Sequence, residues 1–150
     1  MSVTIPGGAC PLLLIGDHAG RAIPKSLGRL GLKAADLDGH IAWDIGIAGL
    51  GERLAQRLDA TFVAQAYSRL VIDCNRRPGA PAAIPEVSDG VAIPGNVGLT
   101  PEAVSARRGE IYQPYQDAIA EALDRRARQG RPTLLVSLHS FTPVMQGQSR

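Results

Sequence analysis

Aromatic residues are scarce: one Trp, three Tyr and two Phe make up 4% of the 150 residues. Stacking platforms of the kind that grip single-stranded nucleic acid are therefore lacking. Excess charge is also small, at net +2. Its basic clusters, near Arg107-Arg108 and from Arg125 to Arg131, read as solvated helix surface rather than a nucleic-acid footprint. Cysteine occurs only twice, as Cys10 and Cys74, far apart in sequence. That spacing argues against a disulfide framework and fits a reducing cytoplasm. No apolar run approaches the ~20 residues needed to span a bilayer, and the N-terminus has neither the basic start nor the apolar stretch of a secretory signal. A Gly-x-Ser-x-Gly elbow, a P-loop, a dinucleotide fingerprint and internal repeats are likewise missing, which argues against a serine hydrolase and against nucleotide-binding folds.

What remains is an ordinary apolar fraction, 45%, in a length suited to one domain over residues 1–150. The first ten residues read as a loose lead-in. Leu12 to Gly16 is a short apolar run, read as the first strand. A helix is expected over residues 38–58, with Ile41, Ile45, Ala48, Leu54 and Leu58 as its stripe and with His40 and Asp44 sharing a face near its start. Residues 61–67 and 70–74 read as strands, the latter burying Cys74 as a small apolar residue. Residues 79–98, rich in Pro and Gly, read as a lid over a site. Thr100-Pro101 opens a long helix over residues 100–129, with Val104, Ile111, Tyr115, Ile119 and Ala122 buried and Pro114 as a kink. Residues 133–138 form the last strand. The order predicts an α/β fold, a mixed and mostly parallel sheet with helices on its faces in an α/β/α sandwich.

Two stretches share one shape. Leu12 to Gly16 leads into His18, and Leu134 to Leu138 leads into His139. Open α/β sheets bind ligands at the carboxyl ends of their strands, so the two imidazoles are expected to meet there and hold a metal. A hydrolytic zinc site takes about three ligands from His, Asp and Glu and keeps one position open. Asp44 is the expected third ligand and Asp17 its nearest rival, with Asp73 and Glu86 weaker candidates. His40 reads as a neighbour of the site or as surface. Arg69, Asn75 and Arg76 form a second cluster, suited to gripping a carboxylate or a developing oxyanion. Arg77 reads as surface, and Ser68, Ser88 and Ser140 are candidate hydrogen-bonding groups.

Five segments carry a family resemblance: Asp17-His18-Ala19-Gly20, His40-Ile-Ala-Trp-Asp44-Ile-Gly46, Tyr67-Ser-Arg-Leu-Val-Ile-Asp-Cys-Asn-Arg76, Ile84-Pro-Glu-Val-Ser-Asp-Gly90 and Leu138-His-Ser-Phe-Thr-Pro143. Together they resemble the N-formylglutamate amidohydrolase family, itself similar in fold to the zinc carboxypeptidases and aspartoacylase-like deacylases. The resemblance implies a zinc ion at the carboxyl edge of the sheet. It also implies hydrolysis of a linear amide, N-formyl-L-glutamate to formate and glutamate, as in histidine degradation. His18 and His139 match the metal histidines. Arg69, Asn75 and Arg76 match the catalytic polar cluster, with Arg69, Arg76, Ser88 and Ser140 around the substrate. Two departures stand out. Arg21 occupies the place of the carboxypeptidase glutamate ligand, and family members continue beyond residue 150, where their general base is expected. Within this chain Glu86, on the lid, is the candidate base. The alternatives are another N-acyl amino acid as substrate, a catalytically inactive or incomplete carboxylate-binding domain of the same fold, and a homo-oligomer whose partner completes the site across an open sheet edge.

Overall fold

The computed structural model describes residues 2–5, 10–142, 144–145 and 148–149. Strand β2 (Leu12–Gly16) lies between β3 (Thr61–Gln65) and β6 (Leu134–Ser137), parallel to both. The expected loose lead-in instead holds a strand, β1 (Ser2–Ile5), antiparallel to β3 at the sheet's other edge. The four-stranded order is β1-β3-β2-β6. A two-residue hairpin, β4 (Val87–Ser88) and β5 (Val91–Ala92), stands apart from it, as does a second pairing of β7 (Val144–Met145) with β8 (Gln148–Ser149).

Side chains alternate along a strand, and here the alternation sorts them into two cores. Leu13, Ile15 and Val63 join Ile111, Tyr115, Ile119 and Ala122. Leu14, Phe62 and Ala64 join Ile47 and Ala55. Helices α2 (Ile47–Leu58) and α4 (Gln113–Arg128) therefore cover opposite faces of the sheet. Helix α2 sits very close: a Cβ placed on Gly51 would come within 2.2 Å of the Phe62 ring.

The expected helix over residues 38–58 divides. A short α1 (Ala34–Asp38) ends at Gly39, residues 39–46 turn, and α2 begins only after Gly46, whose φ of 87° interrupts helical geometry. His40 and Asp44 thus sit in a turn and not on a helical face. The expected stripe changes with it: Ile45 and Leu58 are exposed, while Ile47, Gly51 and Ala55 face the sheet. The long C-terminal helix also divides, into α3 (Pro101–Arg107), a π-helical turn (Arg108–Tyr112) and α4. Pro114 stands just inside α4, and the wide turn before it accommodates the missing N–H. Val104 is exposed, and the rest of that stripe is buried.

Residues 70–74 are not a strand. Leu70, Val71, Ile72 and Cys74 are buried, but their backbone is satisfied by turn contacts and side chains instead of a strand partner. The Leu70 N–H donates to Ser68 Oγ at 3.1 Å, Asn96 Nδ2 donates to the Leu70 carbonyl at 2.8 Å, and Arg107 Nη1 donates to the Val71 carbonyl at 3.0 Å. Buried turns and buried strands share the same apolar run, so periodicity cannot separate them. Strand β3 similarly stops at Gln65, and Tyr67 makes only an isolated bridge to Ala22. The lid segment is anchored rather than loose, for Ile93 and Asn96 are both buried.

Burial pushes the Cys74 thiol up to about 12. At neutral pH Cys74 is expected to resist a disulfide reagent until the chain unfolds, while half-buried Cys10 reacts first. Two thiols titrating at equal rates in the folded protein would contradict this.

Candidate metal centre and active site

His18 leaves β2 three residues after Ile15, and His139 leaves β6 two residues after Ser137. Ile15 and Ser137 are paired in register. The parallel pairing therefore delivers both imidazoles to one carboxyl edge, with ring centroids 5.1 Å apart. The turn at residues 39–46 brings in Asp44, tied down by its own N–H donating to the His18 carbonyl at 2.9 Å. Ligand atoms of His18, Asp44 and His139 all lie within 4.8 Å of one another.

Hydrogen bonds fix how the rings present themselves. His18 Nε2 lies 2.8 Å from Asp73 Oδ1. A carboxylate only accepts, so the ring proton sits on Nε2 and Nδ1 carries the lone pair. That Nδ1 is buried, has no hydrogen-bond partner, and faces Asp44 Oδ1 at 3.6 Å. His139 also turns Nδ1 towards Asp44, but as a donor, because the carboxylate can only accept. Its Nε2 lies 3.0 Å from Ser137 Oγ and 3.4 Å from Asp17 Oδ2, and its Nδ1 lies 3.0 Å from Asp44 Oδ2. Ser137 Oγ donates to Asp17 Oδ2 at 2.9 Å and Tyr115 Oη donates to Asp17 Oδ1 at 3.0 Å. His18 Nδ1, His139 Nδ1 and the Asp44 carboxylate thus converge on one point, where a proton or a bound cation can sit between them. A tetrahedral zinc site with an open position fits this donor set.

Electrostatics agree with the geometry. Burial opposes charge on His18, but the carboxylates of Asp44 and Asp73 outweigh it and raise its pKa. Burial likewise opposes the charge on Asp44, and the neighbouring His18 together with the hydrogen bond from His139 holds its pKa below the ordinary value. Asp73 is held low against burial by His18 and Arg69.

Around the centre lies a cavity of about 530 Å³ that includes Arg69, Asn75, Arg76, Ser88 and Ser140 in its lining. Arg69 Nη2 donates to Asp73 Oδ2 at 3.0 Å, and Nη1 is 3.8 Å from Asp44. The Ser140 N–H donates to Asp44 Oδ2 at 3.2 Å. Arg76 is exposed and forms no ion pair among the described residues. Two candidates lie elsewhere. Glu86 is exposed and outside the lining, because the hairpin turns Ser88 and Asp89 inward in its place. Ser68 is fully buried and donates to the Ala42 carbonyl at 2.7 Å. Asp17 and Asp73, weighed as ligands, instead hold the far nitrogens of His139 and His18.

Sequence reasoning passed over Asp89, Trp43, Ser137 and Tyr115. His40 Nε2 donates to Asp89 Oδ2 at 2.8 Å at the pocket wall. Ser137 could have been found from β-alternation, since two residues before His139 places it on the same side of the chain. The Tyr115 contact spans 98 positions and left no local signal.

Among the described residues no helix is long and apolar enough to cross a membrane. No curated protein sequence matches the chain. Two of the solved structures that resemble it are informative. One is the crystal structure of gene product Atu2144 from Agrobacterium tumefaciens, at 39% identity and a TM-score of 0.96, covering 99% of this chain and 60% of that one. The other is N-formylglutamate amidohydrolase from Ralstonia eutropha JMP134, at 25% identity and a TM-score of 0.71, covering 93% and 56%. The chain thus spans somewhat more than half the length of either relative. The family model for N-formylglutamate amidohydrolase matches residues 10–150, so the chain belongs to the N-formylglutamate amidohydrolase family.

Proposed function

We propose that the chain carries the metal-binding half of a zinc-dependent hydrolase of linear amides. Its substrate is an N-acyl amino acid of the N-formylglutamate type, cleaved to formate and the free amino acid. The lineage proposed with it is the α/β/α sandwich of the zinc carboxypeptidases. One observation carries the reading: the buried, unpartnered Nδ1 of His18 aimed at Asp44. Left neutral, that buried acceptor has nothing to accept from, at a cost of about 1–3 kcal/mol; a proton or a bound cation facing Asp44 removes the cost, and a cation is the occupant proposed.

The ion would be held by His18 Nδ1, Asp44 and His139 Nδ1. When bound it supplies Lewis-acid polarisation of the amide carbonyl and lowers the pKa of a bound water. The chain's own residues do the rest. With the ion in place, Asp73 and the Ser137–Asp17 pair would hold the remaining ring proton of each histidine on Nε2. Arg69, braced by Asp73, offers hydrogen bonds where charge develops on the carbonyl oxygen. Arg76 is free to grip the substrate carboxylate. A second reading, a carboxylate-binding domain without turnover, is favoured by one fact: Glu86 lies outside the pocket lining, and no glutamate is among the described lining residues.

Protein purified without added metal is expected to carry about one zinc per chain by elemental analysis, a ratio set by one three-ligand site. His139→Ala should lose most of it. Metal-free wild type, or a His139→Ala variant with undiminished zinc, would defeat the metal reading. Zinc bound without hydrolysis of any N-formyl amino acid would instead select the binding domain.

A further inference from the structure

We infer that Tyr115 is a positioning residue for the metal centre: from helix α4 its hydroxyl holds Asp17, and Asp17, through Ser137, aims His139 at the ion. The inference rests on the metal reading above and adds to it a residue from the core.

Packing does not explain the hydroxyl. Tyr115 is fully buried in the stripe of α4 that also carries Ile119 and Ala122. A phenylalanine ring would fill that place equally well, and a buried hydroxyl costs stability unless it finds a partner. Its partner is Asp17 Oδ1 at 3.0 Å. Burial and the Asp17 charge push the phenol well above its ordinary pKa, so it keeps its proton and donates.

Asp17 is itself only 5% exposed. A carboxylate so placed is costly unless it is hydrogen-bonded and faces a positive partner. Tyr115 serves one oxygen, and Ser137 Oγ donates to the other at 2.9 Å. Both donors are neutral, so they hold the carboxylate without cancelling its charge. That charge faces His139, whose Nε2 lies 3.4 Å from Asp17 Oδ2 and 3.0 Å from Ser137 Oγ. With the ion on Nδ1 of His139, every hydrogen in the chain has a place. The His139 Nε2–H donates to Ser137 Oγ, Ser137 donates to Asp17, and Tyr115 donates to the remaining oxygen. A carboxylate behind a ligating imidazole fixes the ring's tautomer and orientation and strengthens its other nitrogen as a ligand. His18 has that support directly, from Asp73 at 2.8 Å. His139 receives it through a serine, and the aim of the carboxylate is set by Tyr115.

Competition with a chromophoric chelator measures zinc affinity in the wild-type chain and in Tyr115→Phe. Loss of the hydroxyl should weaken zinc binding about tenfold, the lower end for a group behind the ligands. Ser137→Ala, at an exposed position of β6, should weaken it similarly. Ile119→Val, one turn along the same buried stripe, also costs stability but should leave zinc affinity unchanged; melting of the metal-free variants ranks the two costs. In an Asp17→Asn background, Tyr115→Phe should have little further effect, because the hydroxyl acts only through that carboxylate. The same cycle run on Ser137→Ala replaces it if Asp17→Asn does not fold. Unchanged zinc affinity in Tyr115→Phe overturns the inference, whatever its Tm. An equal loss in Ile119→Val, or full additivity in the cycle, overturns it too. Wild type that binds no zinc defeats the metal reading itself and this inference with it, whereas zinc-binding wild type with an indifferent Tyr115→Phe removes the inference alone.

Discussion

Replacing Arg107 with alanine is expected to destabilise the fold by about 3–5 kcal/mol, read from the urea midpoint. The side chain is 4% exposed and has no carboxylate partner among the described residues. It donates instead to the Val71 carbonyl at 3.0 Å, Asn96 Oδ1 at 2.7 Å and the Gly95 carbonyl at 3.1 Å. Each acceptor left dry costs about 1–3 kcal/mol, and water entering the gap recovers part of the sum. Arg107→Met separates volume from hydrogen bonding: it fills space but satisfies none of the three, so it should fall near alanine. A methionine variant as stable as wild type would show that packing alone matters there. The effect should reach the site too. Asn96 also donates to the Pro85 carbonyl at 2.7 Å, and so steadies the approach to the hairpin carrying Ser88 and Asp89 into the pocket.

The second large effect is a reversal of pH dependence on removing metal. In metal-free protein two kinds of group act in opposite directions. Asp44 and Asp73 have folded pKa values held below the ordinary carboxylate value, against burial, by their histidine partners. Their contribution is full above the unfolded value and disappears as pH falls through the folded one. His18 is raised above 6.5, against burial, by Asp44 and Asp73. Its contribution is full below the unfolded value and is lost as pH rises through the raised folded value. Metal-free protein should therefore be most stable on the mildly acidic side, with its Tm falling towards alkaline pH. Zinc needs the His18 lone pair that the proton occupies, so its binding strengthens as the proton leaves. The gap in Tm between zinc-loaded and chelator-treated protein should widen from roughly pH 6 to pH 8. His18→Asn should flatten the alkaline decline of the metal-free form. A chelator-treated wild type whose Tm climbs across that interval would contradict the assignment.

Some of this was legible before any coordinates. A buried strand that must deliver a ligand ends its apolar run at that ligand, and Leu12 to His18 and Leu134 to His139 both read that way. Parallel pairing of β2 with β6 then makes the two ends neighbours. Less legible was whatever depends on how backbone groups find partners. Leu70 to Cys74 is apolar enough for a strand, but Asn96 and Arg107 take up its carbonyls from 26 and 36 positions away, and no local pattern shows that. Gly46 carried a usable warning, since a glycine after Asp44 can end one element and begin another. The division of labour among aspartates was hidden for a different reason. Asp17 and Asp44 are both plausible ligands by sequence distance, and only the third dimension decides which nitrogen each one meets.

Strand β6 has one further consequence. Leu134, Leu135 and Val136 are 63%, 49% and 36% exposed, and among the described residues no strand lies along its outer side. Such a bare rim invites another backbone to zip onto it. The same short ribbon sets the height at which His139 meets Asp44. A segment docked along that rim would also bear on the position of His139 and hence on its distance to Asp44.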